Sequence, residues 1–281
     1  MRVLVTGGNG FIGRWVCGEL NSRGHDAVVL DHSGLADWLA DVRDAVATNE
    51  AIAHMDGVIH LAGILGTQET IAHPRPAVDT NIIGGLNVLE ACAQYQVPLV
   101  NIAVGNYTER STYSITKTCV DSLCDMYARY RSTPVPTVRA YNAYGPGQSA
   151  PVPYGTSRVR KIIPSFTCRV LHGEPLEIYG DGSQVMDMIH VADVARVLTD
   201  ELEALASGGK PHRTEAGTAR ATTVTEIAQL VLAEVERQTG LTGELRYLPM
   251  RPGETPGGVV LASESVPSAT SLEQGLPDTV R

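Results

Sequence analysis

A doubly wound parallel α/β sheet with a smaller C-terminal lobe is the fold class this sequence predicts. Through the first half, short apolar runs alternate with stretches of helical spacing, the pattern of consecutive βαβ units. A glycine-rich turn joins the first run to the first helical stretch. Beyond Pro146 the chain changes to short segments broken by glycine and proline: Gly145-Pro146-Gly147, Pro151-Val152-Pro153 and Gly180-Asp181-Gly182. The expected division is residues 1–145 for the sheet domain and 146–281 mainly for the lobe, with 184–206 returning to the sheet domain.

In chain order, Arg2–Val5 reads as the first strand, running into Thr6-Gly7-Gly8. Phe11–Asn21 reads as a helix, because Ile12, Trp15, Val16 and Leu20 recur on one side, and Gly24 stops it. Ala27–Leu30 is a second strand, ending at Asp31. Gly57–Leu61 and Pro98–Val104 are further strands. Asn81–Tyr95 is helical, with Ile82, Leu86 and Leu89 together. Later, one helix begins near Ala192 with Asp193 in its first turn, and another spans Val224–Gln238, capped by Thr223 or Thr225.

The 281 residues carry a formal net charge of -9, which disfavours a polyphosphate backbone as partner, so no nucleic acid is expected. The N-terminus runs straight into a strand without a secretory pattern, and no apolar stretch approaches the ~20 residues of a membrane span. The five cysteines are odd in number and lack metal-type spacing, and the eight histidines form no ligand pair. A cytoplasmic protein with free thiols and no metal is the expectation.

Thr6-Gly7-Gly8-Asn9-Gly10-Phe11-Ile12-Gly13 follows a strand and opens a helix. Gly7, Gly10 and Gly13 allow a tight turn and close backbone approach, and the N–H groups at Phe11 and Ile12 begin a helix whose positive end suits a pyrophosphate. Asp31 ends the second strand, where a carboxylate accepts from ribose hydroxyls and repels a 2′-phosphate. This Rossmann-type arrangement predicts NAD rather than NADP.

Tyr113 and Lys117 are four residues apart in a helical segment, so they share a face. An ammonium near a phenol favours the phenolate, which predicts a Tyr113 acidified enough for acid–base work near neutral pH.

On these residues the chain resembles the extended short-chain dehydrogenases/reductases, the NAD-dependent epimerase/dehydratase group that acts on nucleotide sugars. The Gly7–Gly13 loop matches its first motif. Asp41-Val42-Arg43-Asp44 matches the segment holding adenine, and His60-Leu61-Ala62-Gly63 the stretch beside the cofactor. Asn81-Ile82-Ile83-Gly84, the Tyr113–Lys117 pair, and Arg139-Ala140-Tyr141-Asn142-Ala143-Tyr144-Gly145-Pro146 match further motifs. So do Gly180–Gln184, Asp187–Val194 and Ser271–Leu276. The resemblance implies cofactor contacts from Asp41, Val42, Leu61, Ala62, Gly63, Asn81, Tyr113, Lys117 and Tyr141. It implies substrate contacts from Asn142 and from Arg251 in Arg251-Pro252-Gly253-Glu254.

The chain also departs from the family. The strand before Tyr113 ends Asn101-Ile102-Ala103-Val104-Gly105-Asn106, without the usual Ser or Thr. Thr108, Ser111 and Thr112 are the available replacements. Thr108 is the expected donor, because it lies in the loop, while the other two would face away from Tyr113 on a helix; an ordered water over Gly105 is the alternative. An acidic pair typical of family dehydratases is reduced to Glu109. Met186 replaces an Arg that contacts substrate phosphate, and Arg158, Arg160 or Lys161 is the expected compensation. Asp187 is expected to hold the lobe, and His60 to pack beside the cofactor.

The resemblance implies a homodimeric NAD-dependent epimerase of a nucleotide-diphosphate sugar, acting at C4 through a transient 4-keto intermediate. Decarboxylase, dehydratase and dehydrogenase/reductase activities of the same family stay open, as does a non-catalytic NAD-binding role.

Overall fold

The computed structural model describes residues 1–251 and 260–281. The first half alternates as expected: β1 (Arg2–Thr6), α1 (Phe11–Ser22), β2 (Asp26–Asp31), β3 (Trp38–Leu39), α2 (Ala45–Ile52) and β4 (Gly57–His60). Two short helices follow, α3 (Thr67–Ala72) and α4 (Pro74–Ala77). A π-helical stretch, Val78–Gly84, runs into α5 (Gly85–Tyr95), then β5 (Leu99–Val104), α6 (Thr112–Tyr130), β6 (Thr137–Ala140) and β7 (Asn142–Tyr144). The lobe and the return segments add α7 (Ile162–Leu171), β8 (Leu176–Tyr179), β9 (Val185–Met186), β10 (Met188–His190) and α8 (Val191–Ala206). They continue with β11 (Arg213–Ala216), β12 (Thr222–Thr223), α9 (Val224–Thr239), β13 (Leu245–Leu248) and α10 (Leu272–Thr279).

Seven strands form one sheet in the order β11-β6-β5-β4-β1-β2-β3, every neighbouring pair parallel. The order reverses at β1, which pairs with β4 on one side and β2 on the other. A reversal of this kind opens a crevice at the carboxyl ends of the strands. One sheet face packs on α2, α5 and α6 around Leu4, Val58, Leu89, Leu99 and Val120. The other packs on α1 and α8 around Val5, Val16, Ile59, Val100 and Leu198. Near-continuous apolar strands such as β5 follow from burial on both faces.

The lobe has its own core, in which Phe166 and Val170 of α7 meet Ile178 of β8 and Ile227, Val231 and Val235 of α9. Thr223 caps α9 in a reciprocal box with Glu226. The return to the sheet runs past Ala206, because β11 pairs with β6 at the sheet edge. Asp187 holds the lobe as expected: its buried carboxylate accepts from Thr218 N (2.7 Å), Thr218 Oγ1 (2.8 Å), Ala219 N (3.1 Å) and Ala262 N (3.0 Å). Among the described residues no helix is long and apolar enough to cross a membrane.

Candidate active site

One cavity of about 1100 Å³ runs along the carboxyl ends of the strands and into the lobe. At its deep end is the turn after β1. Gly7 has φ +72°, and a side-chain carbon there would meet the backbone of Ala62 at 2.9 Å. A carbon added at Gly13 would collide with the Gly7 carbonyl and the Gly8 backbone, leaving no room for a side chain. The N-cap Gly10 offers no side-chain acceptor, so the first N–H groups of α1 face the cavity unengaged by a cap. A phosphate is the natural acceptor for them. Asp31 is buried at the end of β2, where Asn9 N (3.1 Å) and Ser33 N (3.1 Å) hold its carboxylate in the cavity wall. Asp41 and Val42 line the same end, with Asp41 held by Arg43 through Oδ2 at 2.6 Å. That ion pair, with its hydrogen bonds, keeps the Asp41 carboxyl below its usual pKa. Leu61, Ala62 and Gly63 continue the wall. These residues fit a dinucleotide laid from phosphate loop to ribose carboxylate.

Tyr113 and Lys117 both reach the cavity from α6. Ser111 caps this helix, accepting from Ser114 N (3.2 Å), and Tyr113 N donates to Thr70 Oγ1 (3.1 Å). Burial pushes Lys117 down to about 8, while Cys124 and Asp121 oppose the shift. The phenol differs from expectation. Burial and the nearby Glu109 carboxylate push Tyr113 up to about 12, so the protein's own groups keep it protonated rather than acidified. His60 is buried behind the site with Nδ1 on Thr6 Oγ1 (2.7 Å); burial and Lys117 hold it down at about 3, a neutral packing residue.

Three residues of the expected site lie outside the cavity lining. Thr108 is exposed, its hydroxyl reaches only Asn106 Oδ1 (3.4 Å), and it does not line the cavity, because the loop turns at Asn106–Glu109. Asn81 is buried outside the cavity lining. Its amide joins Ile64 N (2.7 Å), Ile64 O (2.9 Å) and Thr116 Oγ1 (2.9 Å), so it braces the loop after β4 against α6. Arg158 points to solvent; Arg160 and Lys161 line the cavity instead. A carbon added at Gly105 would sit 2.9 Å from Tyr141, so no side chain fits at that position.

Tyr141, Asn142, Lys161 and Arg251 line the cavity. Tyr141 Oη donates to Glu215 (3.1 Å), and Asn142 Nδ2 to the Asp187 carbonyl (3.1 Å). At the lobe end Arg160 donates to Tyr179 Oη (3.0 Å), and the Arg251 guanidinium lies 4.4 Å from the Tyr179 ring centre. Met186 forms part of the same wall. Pro252, Gly253 and Glu254 of the arginine motif lie outside the described residues. Sequence reasoning passed over Thr67, Glu69 and Asn106, which all line the cavity near Tyr113. Their signal was position: Thr67 and Glu69 follow β4 and Asn106 follows β5, and segments after strand ends line such crevices.

A model of the NAD-dependent epimerase/dehydratase family matches residues 3–217. The chain belongs to that family. The family uses NAD, in agreement with the phosphate loop and Asp31. The dTDP-glucose 4,6-dehydratase of Mycobacterium tuberculosis is 32% identical over 227 residues, spanning 69% of this chain and 66% of that enzyme, just under two thirds of its length. Among solved structures, the UDP-glucose 4-epimerase of Thermotoga maritima with UDP-glucose superposes with a TM-score of 0.84 at 27% identity. The match covers 100% of this chain and 97% of that one. The UDP-glucose 4-epimerase of Thermus thermophilus in complex with NAD gives 0.80 at 28% identity, covering 100% and 98%.

Proposed function

We propose that this family member is a cytoplasmic, homodimeric, NAD-dependent epimerase of a nucleotide-diphosphate sugar, inverting C4 through a transient 4-keto sugar. The observation that carries this reading is the cavity itself. Its wall brings together Gly7 and Asp31, the Tyr113–Lys117 pair, and the cations Arg160, Lys161 and Arg251, with Glu177 beside Arg160 at 3.7 Å. Those groups suit a cofactor, a reacting sugar and a diphosphate held in one cavity.

NAD, when bound, supplies the hydride acceptor and donor. Tyr113 would meet the reacting sugar hydroxyl and exchange its proton, and Lys117 would hold the cofactor ribose. Asp31 takes the adenosine ribose hydroxyls, and Asp41, Val42, Leu61, Ala62, Gly63 and Tyr141 wall the cofactor. Arg160 and Lys161 with Arg251 bind the diphosphate, Arg160 replacing the charge lost at Met186, while Asn142 faces the sugar. Likeness to 4-epimerase structures over the whole chain supports epimerisation. Dehydration is the second reading, favoured by Glu109 and Glu69 in the cavity wall.

Incubating the purified, NAD-loaded protein with UDP-glucose or UDP-galactose and following the sugar by NMR tests the proposal. The expected outcome is interconversion at C4 without lasting NADH absorbance. A stable 4-keto-6-deoxy product, or NADH formed in proportion to sugar consumed, would overturn it.

A further inference from the structure

The loss of a hydroxyl at the end of β5 leaves the question of what contacts the sugar beside Tyr113. Gly105 has no room for a side chain, Ser111 is buried as the α6 cap, and Thr108 faces solvent. The structure brings a hydroxyl from another element. Thr67 opens α3 and lines the cavity. Three residues on, Thr70 of the same helix accepts from Tyr113 N at 3.1 Å. Residues three apart share a helix face, so Thr67 stands next to the turn that carries Tyr113.

Thr67 is also fixed in direction. Its hydroxyl donates to Glu109 Oε1 at 2.6 Å, and Glu109 Oε2 accepts from Asn106 Nδ2 at 3.1 Å. Asn106 O in turn accepts from Ser114 Oγ at 3.0 Å, one residue after Tyr113. These bonds tie the start of α3, the loop after β5 and the first turn of α6 together and leave both oxygens of the carboxylate engaged. A threonine whose single proton is committed to a carboxylate presents only lone pairs to the cavity. Tyr113 is raised mainly by burial and then by Glu109, which places this carboxylate within electrostatic reach of the phenol.

We infer that Thr67, locked by Glu109, is an acceptor-only contact that reads a hydroxyl on the carbon adjacent to the one oxidised. The substrate class is therefore a sugar nucleotide with a free hydroxyl at that neighbouring carbon. A site built to accept from a hydroxyl discriminates against the analogue lacking it, because the site's polar group is then left unpaired. Fluorine at that carbon fails as hydrogen does, since it brings no proton. This inference rests on the nucleotide-sugar reading above.

The test compares UDP-glucose with UDP-sugars carrying fluorine or hydrogen in place of one ring hydroxyl at a time, on NAD-loaded wild type, Thr67→Val, Thr67→Ser and Glu109→Gln. Calorimetric affinity and kcat/KM are both read. In the wild type, loss of the neighbouring hydroxyl is expected to lower both by about tenfold or more. Thr67→Val should abolish that difference alone, leaving the ranking at other positions unchanged, and Thr67→Ser should restore it. Glu109→Gln should reduce it. A uniform loss on every sugar in Thr67→Val, with the wild-type ratios intact, would overturn the inference as a mere structural effect. So would a wild type indifferent to the neighbouring hydroxyl. Binding of no nucleotide sugar by the wild type is a different result, which removes the nucleotide-sugar reading first.

Discussion

Lys117 shows what burying one charge does to stability. It is 5% exposed, and burial moves it from 10.5 to about 8. The folded protein therefore holds this proton less tightly than the unfolded chain does. Below pH 8 both states are protonated and the full penalty, on the order of 3 kcal/mol, is present; as pH rises from 8 to 10.5 it fades. Lys117→Met should raise Tm at pH 7 by several degrees while abolishing turnover, and the gain should shrink toward pH 10. Thermal melts across that range check it; a gain independent of pH would mean that packing rather than charge sets the effect. Lys117, Tyr113, Asp31 and the glycine loop were legible in the sequence because their geometry is local: four residues along a helix, or a turn between one strand and one helix. Thr67 was not, since its place beside Tyr113 depends on α3 docking onto α6 through Thr70. Thr108 was misjudged for a related reason. Tyr107 N bonds Gly105 O and Glu109 N bonds Asn106 O, and these turns send Thr108 outward while carrying Glu109 inward.

Among the elements, the lobe's attachment depends on the junction between β9 and β10. Asp187 accepts from three backbone N–H groups and one hydroxyl, drawn from the segment after β11 and from Ala262. Gly217 must stay small there, because an added carbon would lie 2.7 Å from the carboxylate. Asp187→Ala strands these donors in a fully buried place and should destabilise by about 3–5 kcal/mol. Asp187→Asn keeps the shape with one carbonyl acceptor and should lie between. Urea denaturation with the m-value held in view checks both; an alanine variant within about 1 kcal/mol of wild type would show that the clamp carries little stability. The strongly periodic elements were readable, β1, α1, β2 and α9 within a residue or two of their observed ends. The edge strand β11 was not: Arg-Thr-Glu-Ala has no apolar run, and only pairing with β6 makes it a strand. Nor was the π-helical Val78–Gly84, which continues helical spacing with one residue more per turn.

At the scale of the whole molecule, α6 divides its apolar residues between two directions. Val120, Cys124 and Tyr127 are buried against the sheet. Ile115, Cys119, Leu123, Met126 and Tyr130 recur at helical spacing along a second stripe that the chain leaves partly open, with Ile115 58% and Tyr130 73% exposed. Neighbouring α5, which packs on α6, and the π-helical turn before it add Tyr95 at 37% and Ile83 at 47%. A monomer that exposes apolar residues along two adjacent helices presents a surface suited to its own copy, since a twofold axis sets the same patch against itself. The net charge of -9 on each chain opposes that association over distance, so burial of this stripe must supply the attraction, and salt should strengthen it by screening the repulsion. Light scattering after gel filtration is expected to give twice the 30.0 kDa chain mass. Tyr130→Arg places a charge at the open end of the stripe and should shift the population to monomer without disturbing the NAD end of the cavity, which NAD titration of the variant would report. A wild-type monomer at tens of micromolar, in high salt as in low, would refute the dimer, and the stripe would then need another partner.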